Sequence, residues 1–210
     1  QQGFNPGHWK VTGKAPQTDH GLPRWTGGTL RRMRLLVTAE QGVGDHLMFA
    51  SVFPELITEA REQGGSVVLD CDPRLVPLFA RSFPDATVKP QQLQTIGGVT
   101  TAQYGWLKTC GGANIATEMG SLPRHLRSDS NDFPDPNVYL VPDAEETARW
   151  RKTFAQSGEA PLIGICWRSG KTTGARALQY APYEAWARFL HDLPGTIVSV
   201  QYDATGDEVE

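Results

Sequence analysis

Residues 33–46 constrain the fold of this chain most, because they read as a strand, a glycine loop and a helix in immediate succession. Residues 33–38 form a short apolar run with the pattern of a buried strand. Two glycines follow within residues 40–45, and from Leu47 onward the apolar residues recur at helical spacing. This order predicts an open α/β sheet, in which ligands bind at the carboxyl ends of the strands, where such loops lie.

The same alternation of strands and helices continues along the chain. Gly64-Gly65 is expected to end the first helix, and Pro73 to open the second. The rhythm predicts a parallel, right-handed, doubly wound sheet. Apolar and β-branched runs predict further strands at residues 66–71, 86–89, 104–108, 137–141, 162–167 and 196–201. Helical spacing predicts helices from the glycine pair at 111–112 to about residue 119, from residue 142 to about 156, and over residues 183–193.

These patterns divide the chain into four parts. Residues 1–30 form an irregular lead-in, residues 31–142 a Rossmann-like domain, residues 143–159 a linker helix, and residues 160–210 the beginning of a second Rossmann-like domain. A unit of two parallel strands cannot cover both faces of its sheet, and parallel sheets are normally buried on both faces. We therefore expect that the natural protein continues, or that a partner completes the second sheet.

Composition excludes several functional classes. The 210 residues carry a formal net charge of -3, which gives no indication of nucleic-acid binding. No apolar run reaches the roughly 18 residues needed to span a bilayer, and the first residues lack the pattern of a signal peptide. The cysteines, Cys71, Cys110 and Cys166, form no C-x-x-C pair, so neither a structural zinc site nor a redox motif is expected. Cys71 and Cys166 are expected to be buried at strand ends, and a reducing cytoplasm is the simplest setting.

Asp45 and His46 lie where the glycine loop meets the helix. Asp45 can cap the first helical turn by accepting backbone N–H bonds, or it can act as a general base facing the cleft. His46 can hydrogen-bond a substrate hydroxyl, or it can be a partly exposed helix residue. The sequence leaves both pairs of alternatives open.

The glycine loop Glu40-Gln41-Gly42-Val43-Gly44-Asp45 resembles the first loop of bacterial GT-B glycosyltransferases. It is most similar to the group fused to tetratricopeptide repeats, which is related to the lipopolysaccharide heptosyltransferases. The resemblance spans about residues 25–203, and the order of its short motifs carries the weight. The further landmarks are Ser121-Leu122-Pro123, Val138-Tyr139-Leu140, residues 164–171 and residues 198–201.

The resemblance implies a role for each matching position. It makes Asp45 the base that deprotonates the acceptor hydroxyl, and it makes Lys171 a contact to the donor phosphates. Arg168 and Ser169, which follow a strand in a polar loop, are expected to bind phosphate with Lys171, although a solvated basic loop is the alternative. Gln201 can contact donor or acceptor, or cap a helix. The substrate-binding positions on the acceptor side are Gln41, Gly42, Gly44 and His46.

The expected function is therefore a metal-independent, inverting glycosyltransferase with GT-B-like architecture. It would move a sugar from a nucleotide-sugar donor to a hydroxyl of a glycan, lipid-linked or protein acceptor, in the cytoplasm or at the inner membrane surface. No cofactor is expected, and Asp70-Cys71-Asp72 is not expected to bind metal, since Pro73 follows it at a strand end. One alternative is a non-catalytic carbohydrate- or protein-binding relative on the same scaffold. Another is a nucleotide-binding α/β enzyme such as an epimerase. The absence of a G-x-G-x-x-G motif after the first strand is evidence against this alternative.

Overall fold

A computed structural model describes residues 17–40, 42–134, 138–157, 161–169 and 178–206. The chain forms two compact units, Gln1–Asp143 and Ala144–Glu210. The described elements of the first unit are β1 (Gln17–Thr18), β2 (Arg34–Thr38), α1 (Val43–Phe49), α2 (Phe53–Glu62), β3 (Ser66–Cys71), α3 (Val76–Ser82), β4 (Thr87–Pro90), β5 (Leu93–Ile96), β6 (Val99–Ala102), β7 (Ile115–Glu118) and α4 (Leu122–Leu126). Those of the second unit are α5 (Ala144–Phe154), β8 (Leu162–Ile165), α6 (Tyr183–His191) and β9 (Thr196–Ser199).

The first unit is built on a parallel four-stranded sheet in the order β4-β3-β2-β7. Leu35 of β2 pairs with Val67 of β3 on one side and with Ile115 of β7 on the other. Residues 35–38 are buried throughout, as expected for a central parallel strand that is covered on both faces. The predicted α/β class and parallel sheet are confirmed.

The larger hydrophobic core packs α1, α2 and α3 against one face of this sheet. Phe53, Phe79 and Phe83 contact one another edge-on, with ring centroids 5.3–5.8 Å apart. Trp25 of the lead-in joins the same core, and its indole N–H donates to the carbonyl of Gly28 at 2.8 Å. Aromatic side chains bury large apolar areas, so these rings are a major part of the packing between helices and sheet.

The other face of the sheet is covered by irregular chain. Leu36 and Val68 pack there against Tyr104 and Leu107, which belong to the segment between β6 and β7. A small separate sheet in the order β1-β6-β5 lies in the same unit, with β5 and β6 antiparallel. This small sheet was not predicted, because its strands are two to four residues long and their alternation is weak.

Three predictions between residues 90 and 142 are wrong. Residues 105–110 form a 3₁₀ helix where a strand was predicted, and Ile115–Glu118 form strand β7 where a short helix was predicted. The pair Gly111 and Gly112 forms a turn with positive φ values of 90° and 73°, and this turn leads the chain into β7. Burial beside β2 decides the state of Ile115–Glu118, because tertiary packing overrides weak local preference. Residues 138–141 are described without a strand.

The helix after β2 begins earlier than predicted, at Val43, and is interrupted by a 3₁₀ turn at Ala50–Val52. Pro54 then lies in the first turn of α2, where the missing N–H costs nothing. The early start places Asp45 inside the first turn of α1 rather than before it.

The described part of the second unit contains the parallel pair β8 and β9, with Ile163 opposite Ile197. It also contains α5 and α6, which lie at the predicted places to within a few residues. Cys71 is buried as expected, but Cys166 is exposed, because β8 ends at Ile165. No helix among the described residues is long and apolar enough to cross a membrane.

Candidate functional site at the carboxyl edge of the sheet

The strand order of the first unit defines a topological switch point between β2 and β7. From β2 the chain winds outward through β3 to β4, and it then returns to place β7 on the opposite side of β2. In open α/β sheets, ligands bind in the crevice outside the carboxyl ends of the strands at this point. The loop after β2 and the loop after β7 therefore form the walls of the candidate site.

Asp45 is half-buried at the third position of α1. Its Oδ2 accepts a hydrogen bond from the backbone N–H of Gly42 at 3.0 Å, so the carboxylate caps the N-terminus of its own helix. The capping alternative is thus observed, with the aspartate acting from inside the helix rather than at the N-cap. The role of Asp45 as a base stays a prediction.

His46 is buried, with 1% of its surface exposed, so the expectation of a partly exposed helix residue is wrong. Its Nδ1 accepts a hydrogen bond from the backbone N–H of Asp72 at 3.2 Å, which requires an unprotonated Nδ1. His46 therefore ties the start of α1 to the segment after β3. Gly42 and Gly44 are exposed in the loop, and Gln41 lies outside the described residues.

Glu40, which the sequence reasoning did not single out, spans the switch point. Its Oε2 accepts a hydrogen bond from the backbone N–H of Gly120 at 2.8 Å, joining the loop after β2 to the loop after β7. A Cβ at Gly120 would lie 2.7 Å from this oxygen, so only glycine lets the carboxylate come so close. Burial has the largest effect on Glu40 and raises its pKa, while the hydrogen bond from the Gly120 N–H opposes this as the second-largest effect. The charges of Glu118 and Asp45 raise the pKa by smaller amounts, and the charge of Arg24 lowers it.

The wall after β7 carries an ion pair. Glu118, the last residue of β7, accepts a hydrogen bond from the Arg24 guanidinium at 2.8 Å. The same guanidinium nitrogen lies 3.2 Å from the hydroxyl of Ser121, the first residue of the landmark at 121–123. Arg24 reaches this position because its backbone forms a bridge to Ala116 of β7. The lead-in therefore contributes a charged side chain to the candidate site, which its irregular composition did not predict.

A buried carboxyl group lies at the end of β3. The Asp70 side chain is only 1% exposed, and its Oδ2 accepts a hydrogen bond from the Tyr104 hydroxyl at 3.1 Å. Burial raises the pKa of Asp70 to about 7, although the Tyr104 hydroxyl and the backbone of Ala39 favour the ionised form. Burial and the nearby Asp70 charge raise the pKa of Tyr104 as well.

Asp70 and Asp72 bind different partners and do not form a joint carboxylate site. Asp72 caps the 3₁₀ turn Pro73–Leu75 by accepting from the backbone N–H of Arg74, and its carboxylate also pairs with the Arg74 guanidinium at 2.9 Å. Among the described residues, no group of three or more His, Cys, Asp and Glu side chains is arranged to hold a metal ion.

In the second unit, the carboxyl ends of β8 and β9 bring together three of the predicted phosphate-binding residues. Gln201 is buried, and its Oε1 accepts hydrogen bonds from the backbone N–H groups of Trp167 at 3.1 Å and Arg168 at 3.0 Å. The Gln201 side chain therefore holds the loop after β8 in place. The Ser169 hydroxyl lies 2.6 Å from that of Tyr180, and Lys171 lies outside the described residues.

The chain is 33% identical over 187 residues to Protein FlbA of Caulobacter vibrioides (strain ATCC 19089 / CIP 103742 / CB 15). The aligned residues make up 89% of this chain and 31% of Protein FlbA, so the chain spans about a third of the length of that curated relative. No protein-family model matches the chain, and no solved structure matches it.

Proposed function

We propose that this chain belongs to a metal-independent, inverting glycosyltransferase of GT-B-like architecture, with the acceptor on the first unit and a nucleotide-sugar donor on the second. The observation that carries the proposal is the pair of carboxylates, Glu40 and Asp45, in the loop at the switch point of the sheet. The resemblance of the glycine loop to that of GT-B enzymes gives the role of base to Asp45. Such an enzyme would use cytoplasmic donors, in the cytoplasm or at the inner membrane surface.

The proposed reaction needs one proton acceptor and one stabilised leaving group. A carboxylate of the glycine loop takes the proton of the acceptor hydroxyl, and the oxygen attacks the anomeric carbon of the donor. The bond from that carbon to the diphosphate breaks, and the diphosphate leaves with the electron pair. Single displacement at the anomeric carbon inverts its configuration. The acceptor class stays open among glycans, lipid-linked sugars and proteins.

The donor side of the proposal rests on the loop after β8. Gln201 accepts hydrogen bonds from the backbone N–H groups of Trp167 and Arg168 and so orders this loop. The ordered loop carries the Arg168 guanidinium, and guanidinium groups are common ligands of diphosphates. Arg168 also donates to the carbonyl of Asp203 at 2.6 Å, which fixes its side chain beside the loop. Arg168, Ser169 and Lys171 remain the proposed phosphate contacts, and Gln201 holds the backbone at residues 167 and 168.

The experiment that tests the proposal is donor turnover by the full-length protein across a panel of nucleotide sugars. We expect wild-type protein to release a nucleoside diphosphate, and a variant carrying both Glu40→Gln and Asp45→Asn to release at least about 100-fold less, the lower range for acid–base catalysis. Unchanged release by the double variant would overturn the assignment of the base to this loop. Absence of release by the wild type with every donor and acceptor would overturn the proposal that the protein is a glycosyltransferase.

A second candidate, a non-catalytic carbohydrate- or protein-binding relative, is favoured by one observation. The hydrogen bond between Asp45 and the Gly42 N–H satisfies a helix start, which a purely structural loop also requires. In that case the double variant would bind its glycan or protein partner unchanged, and no variant or wild-type protein would release a nucleoside diphosphate.

A further inference from the structure

We propose that Glu40 is the carboxylate that takes the proton from the acceptor hydroxyl, and that Asp45 acts by fixing the loop that carries it. This inference rests on the proposed function and concerns only which of the two carboxylates is the base. Three properties of Glu40 support it: its position, its contact with Gly120 and the raised proton affinity of its carboxylate.

Glu40 lies at the switch point of the sheet. It follows β2 by two residues and reaches across to Gly120, two residues after β7, so its carboxylate bridges the loops that follow the two strands. Asp45 instead turns back to Gly42 within its own loop. A ligand bound at the switch point lies between the loops after β2 and β7. The residue that joins those loops is therefore the one that such a ligand meets.

The Glu40 carboxylate fits closely against Gly120. The Glu40 Oε2 lies 2.8 Å from the Gly120 nitrogen, and an added Cβ there would lie 2.7 Å from Oε2 and 3.4 Å from the Phe49 ring. A single backbone N–H holds one carboxylate oxygen and fixes the orientation of the group. Position 120 is therefore a place where the Glu40 carboxylate can be displaced without changing any ionisable group.

The environment of Glu40 raises the proton affinity of its carboxylate. A general base works best when its pKa lies near the operating pH. Burial is the largest effect on the Glu40 carboxyl and raises its pKa from the ordinary value, although the Gly120 N–H opposes the shift, so Glu40 is a better proton acceptor than an exposed carboxylate. The O–H bond of the acceptor breaks, its proton passes to a Glu40 oxygen, and the new C–O bond forms as the diphosphate departs.

The test compares Glu40→Gln, Gly120→Ala and Asp45→Asn in the full-length protein, with nucleoside diphosphate release measured from pH 5 to pH 9. Glutamine keeps an oxygen for the Gly120 N–H, so Glu40→Gln removes the base and leaves the contact. We expect Glu40→Gln to lower kcat at least about 100-fold and to abolish the acid limb of the pH profile, while Asp45→Asn lowers kcat less than about ten-fold. Gly120→Ala is expected to lower kcat with the acid limb retained.

A matched control is Glu59→Gln in α2, since Glu59 also holds a single neutral donor, Gln63, at 3.0 Å but lies near the opposite edge of the sheet. It is expected to leave turnover unchanged. Formate added to Glu40→Ala should restore part of the rate, which loss of a structural contact alone would not allow.

The outcomes separate the inference from the proposed function. Full turnover by Glu40→Gln together with loss in Asp45→Asn would overturn the inference, return the role to Asp45 and leave the glycosyltransferase intact. Absence of turnover by the wild type would overturn both. Loss in Glu40→Gln with an unchanged pH profile of the residual activity, and no rescue by formate, would also overturn the inference in favour of a structural role.

Discussion

Tyr104 donates its phenolic hydrogen to the carboxylate of Asp70 across 3.1 Å, and both side chains are buried. The two residues come from different parts of the first unit. Asp70 lies in β3, and Tyr104 lies in the irregular segment that covers the face of the sheet away from helices α1–α3. The His20 ring lies edge-on to Tyr104 at 5.6 Å. This contact therefore anchors the irregular face of the first unit, and its strength depends on the ionisation of one carboxyl group.

Asp70 is expected to make the stability of the protein fall as pH rises. Its pKa is raised from 3.8 to about 7 by burial, so the folded state holds the proton more tightly than the unfolded state. The contribution of Asp70 is fully present below about pH 4 and is lost between about pH 4 and pH 7, with a total of about 4 kcal/mol.

Asp70→Asn should therefore flatten this part of the profile, because asparagine keeps an oxygen for Tyr104 but does not ionise. Urea denaturation of both proteins at pH 4.5 and pH 8 measures the difference directly. We expect the variant to gain stability relative to wild type by a few kcal/mol between the two pH values. Parallel profiles for the two proteins would contradict the raised pKa.

Tyr104→Phe tests the same contact from the other partner. The change removes the hydroxyl that donates to Asp70 and leaves the ring in the smaller core. We expect a loss of about 1–3 kcal/mol at pH 8, where Asp70 is ionised, and a smaller loss at pH 4.5, where a protonated carboxyl needs the donor less. In the background of Asp70→Asn the dependence on pH should disappear, and a persistent dependence would place its origin elsewhere.

The strands with strong apolar runs were predictable from sequence, and the reason is visible in β2 and β3. Residues 35–38 and 67–71 are buried on both faces of a parallel sheet, so nearly every position is apolar. Ile115–Glu118 form β7 with only four residues, of which two are Thr117 and Glu118. Its pairing with β2 depends on residues about 80 positions away, which no local pattern contains.

The candidate site was predictable in its loop and not in its contacts. The glycines and Asp45 correctly predicted a loop after a strand. The side chain that joins the two loops at the switch point, however, is Glu40. Its partner Gly120 could not be identified while residues 115–118 were predicted as a helix. The burial of His46 was not predicted, because it depends on contact with the backbone after β3. The local helical pattern around His46 contains no information about that contact.

Arg127 is expected to be a stabilising residue that lysine cannot replace. Its guanidinium is buried and donates to the Glu55 carboxylate at 2.7 Å and to the carbonyl of Ser51 at 2.7 Å. Lysine cannot reproduce this forked geometry, so Arg127→Lys should cost about 1–3 kcal/mol of unfolding free energy, measured by urea denaturation. The matched control is Arg61→Lys, whose pair with Asp85 is exposed and should cost less than about 0.5 kcal/mol. Equal costs for the two variants would show that the buried fork contributes nothing special.

Gly65 is expected to tolerate no side chain. A Cβ there would lie 2.3 Å from the carbonyl oxygen of Leu30 and 2.6 Å from that of Met33, so the backbone before β2 or β3 would have to move. Gly65→Ala should therefore destabilise the protein by about 2 kcal/mol or more, seen as a lower urea midpoint. Gly28→Ala is the control, because no atom lies within 4 Å of a Cβ at that position. A loss in Gly28→Ala as large as that in Gly65→Ala would rule out the close approach as the cause.

Gln201 is expected to order the loop after β8 whether or not a donor is bound. Its amide oxygen is the acceptor for the N–H groups of Trp167 and Arg168, so Gln201→Ala leaves both without this partner. Amide hydrogen exchange at these two positions, followed by NMR, should become about ten-fold faster or more in Gln201→Ala, as loss of a hydrogen bond worth about 1.4 kcal/mol would produce.

Gln201→Glu separates this ordering from phosphate binding. The carboxylate keeps an acceptor for both N–H groups, so exchange should stay slow, while its negative charge beside the loop should weaken the binding of a nucleoside diphosphate. Faster exchange in Gln201→Ala with unchanged exchange in Gln201→Glu would establish the side chain as the support of the loop. Unchanged exchange in both variants would mean that other contacts hold the loop, and weakened nucleotide binding in Gln201→Glu would then report on charge alone.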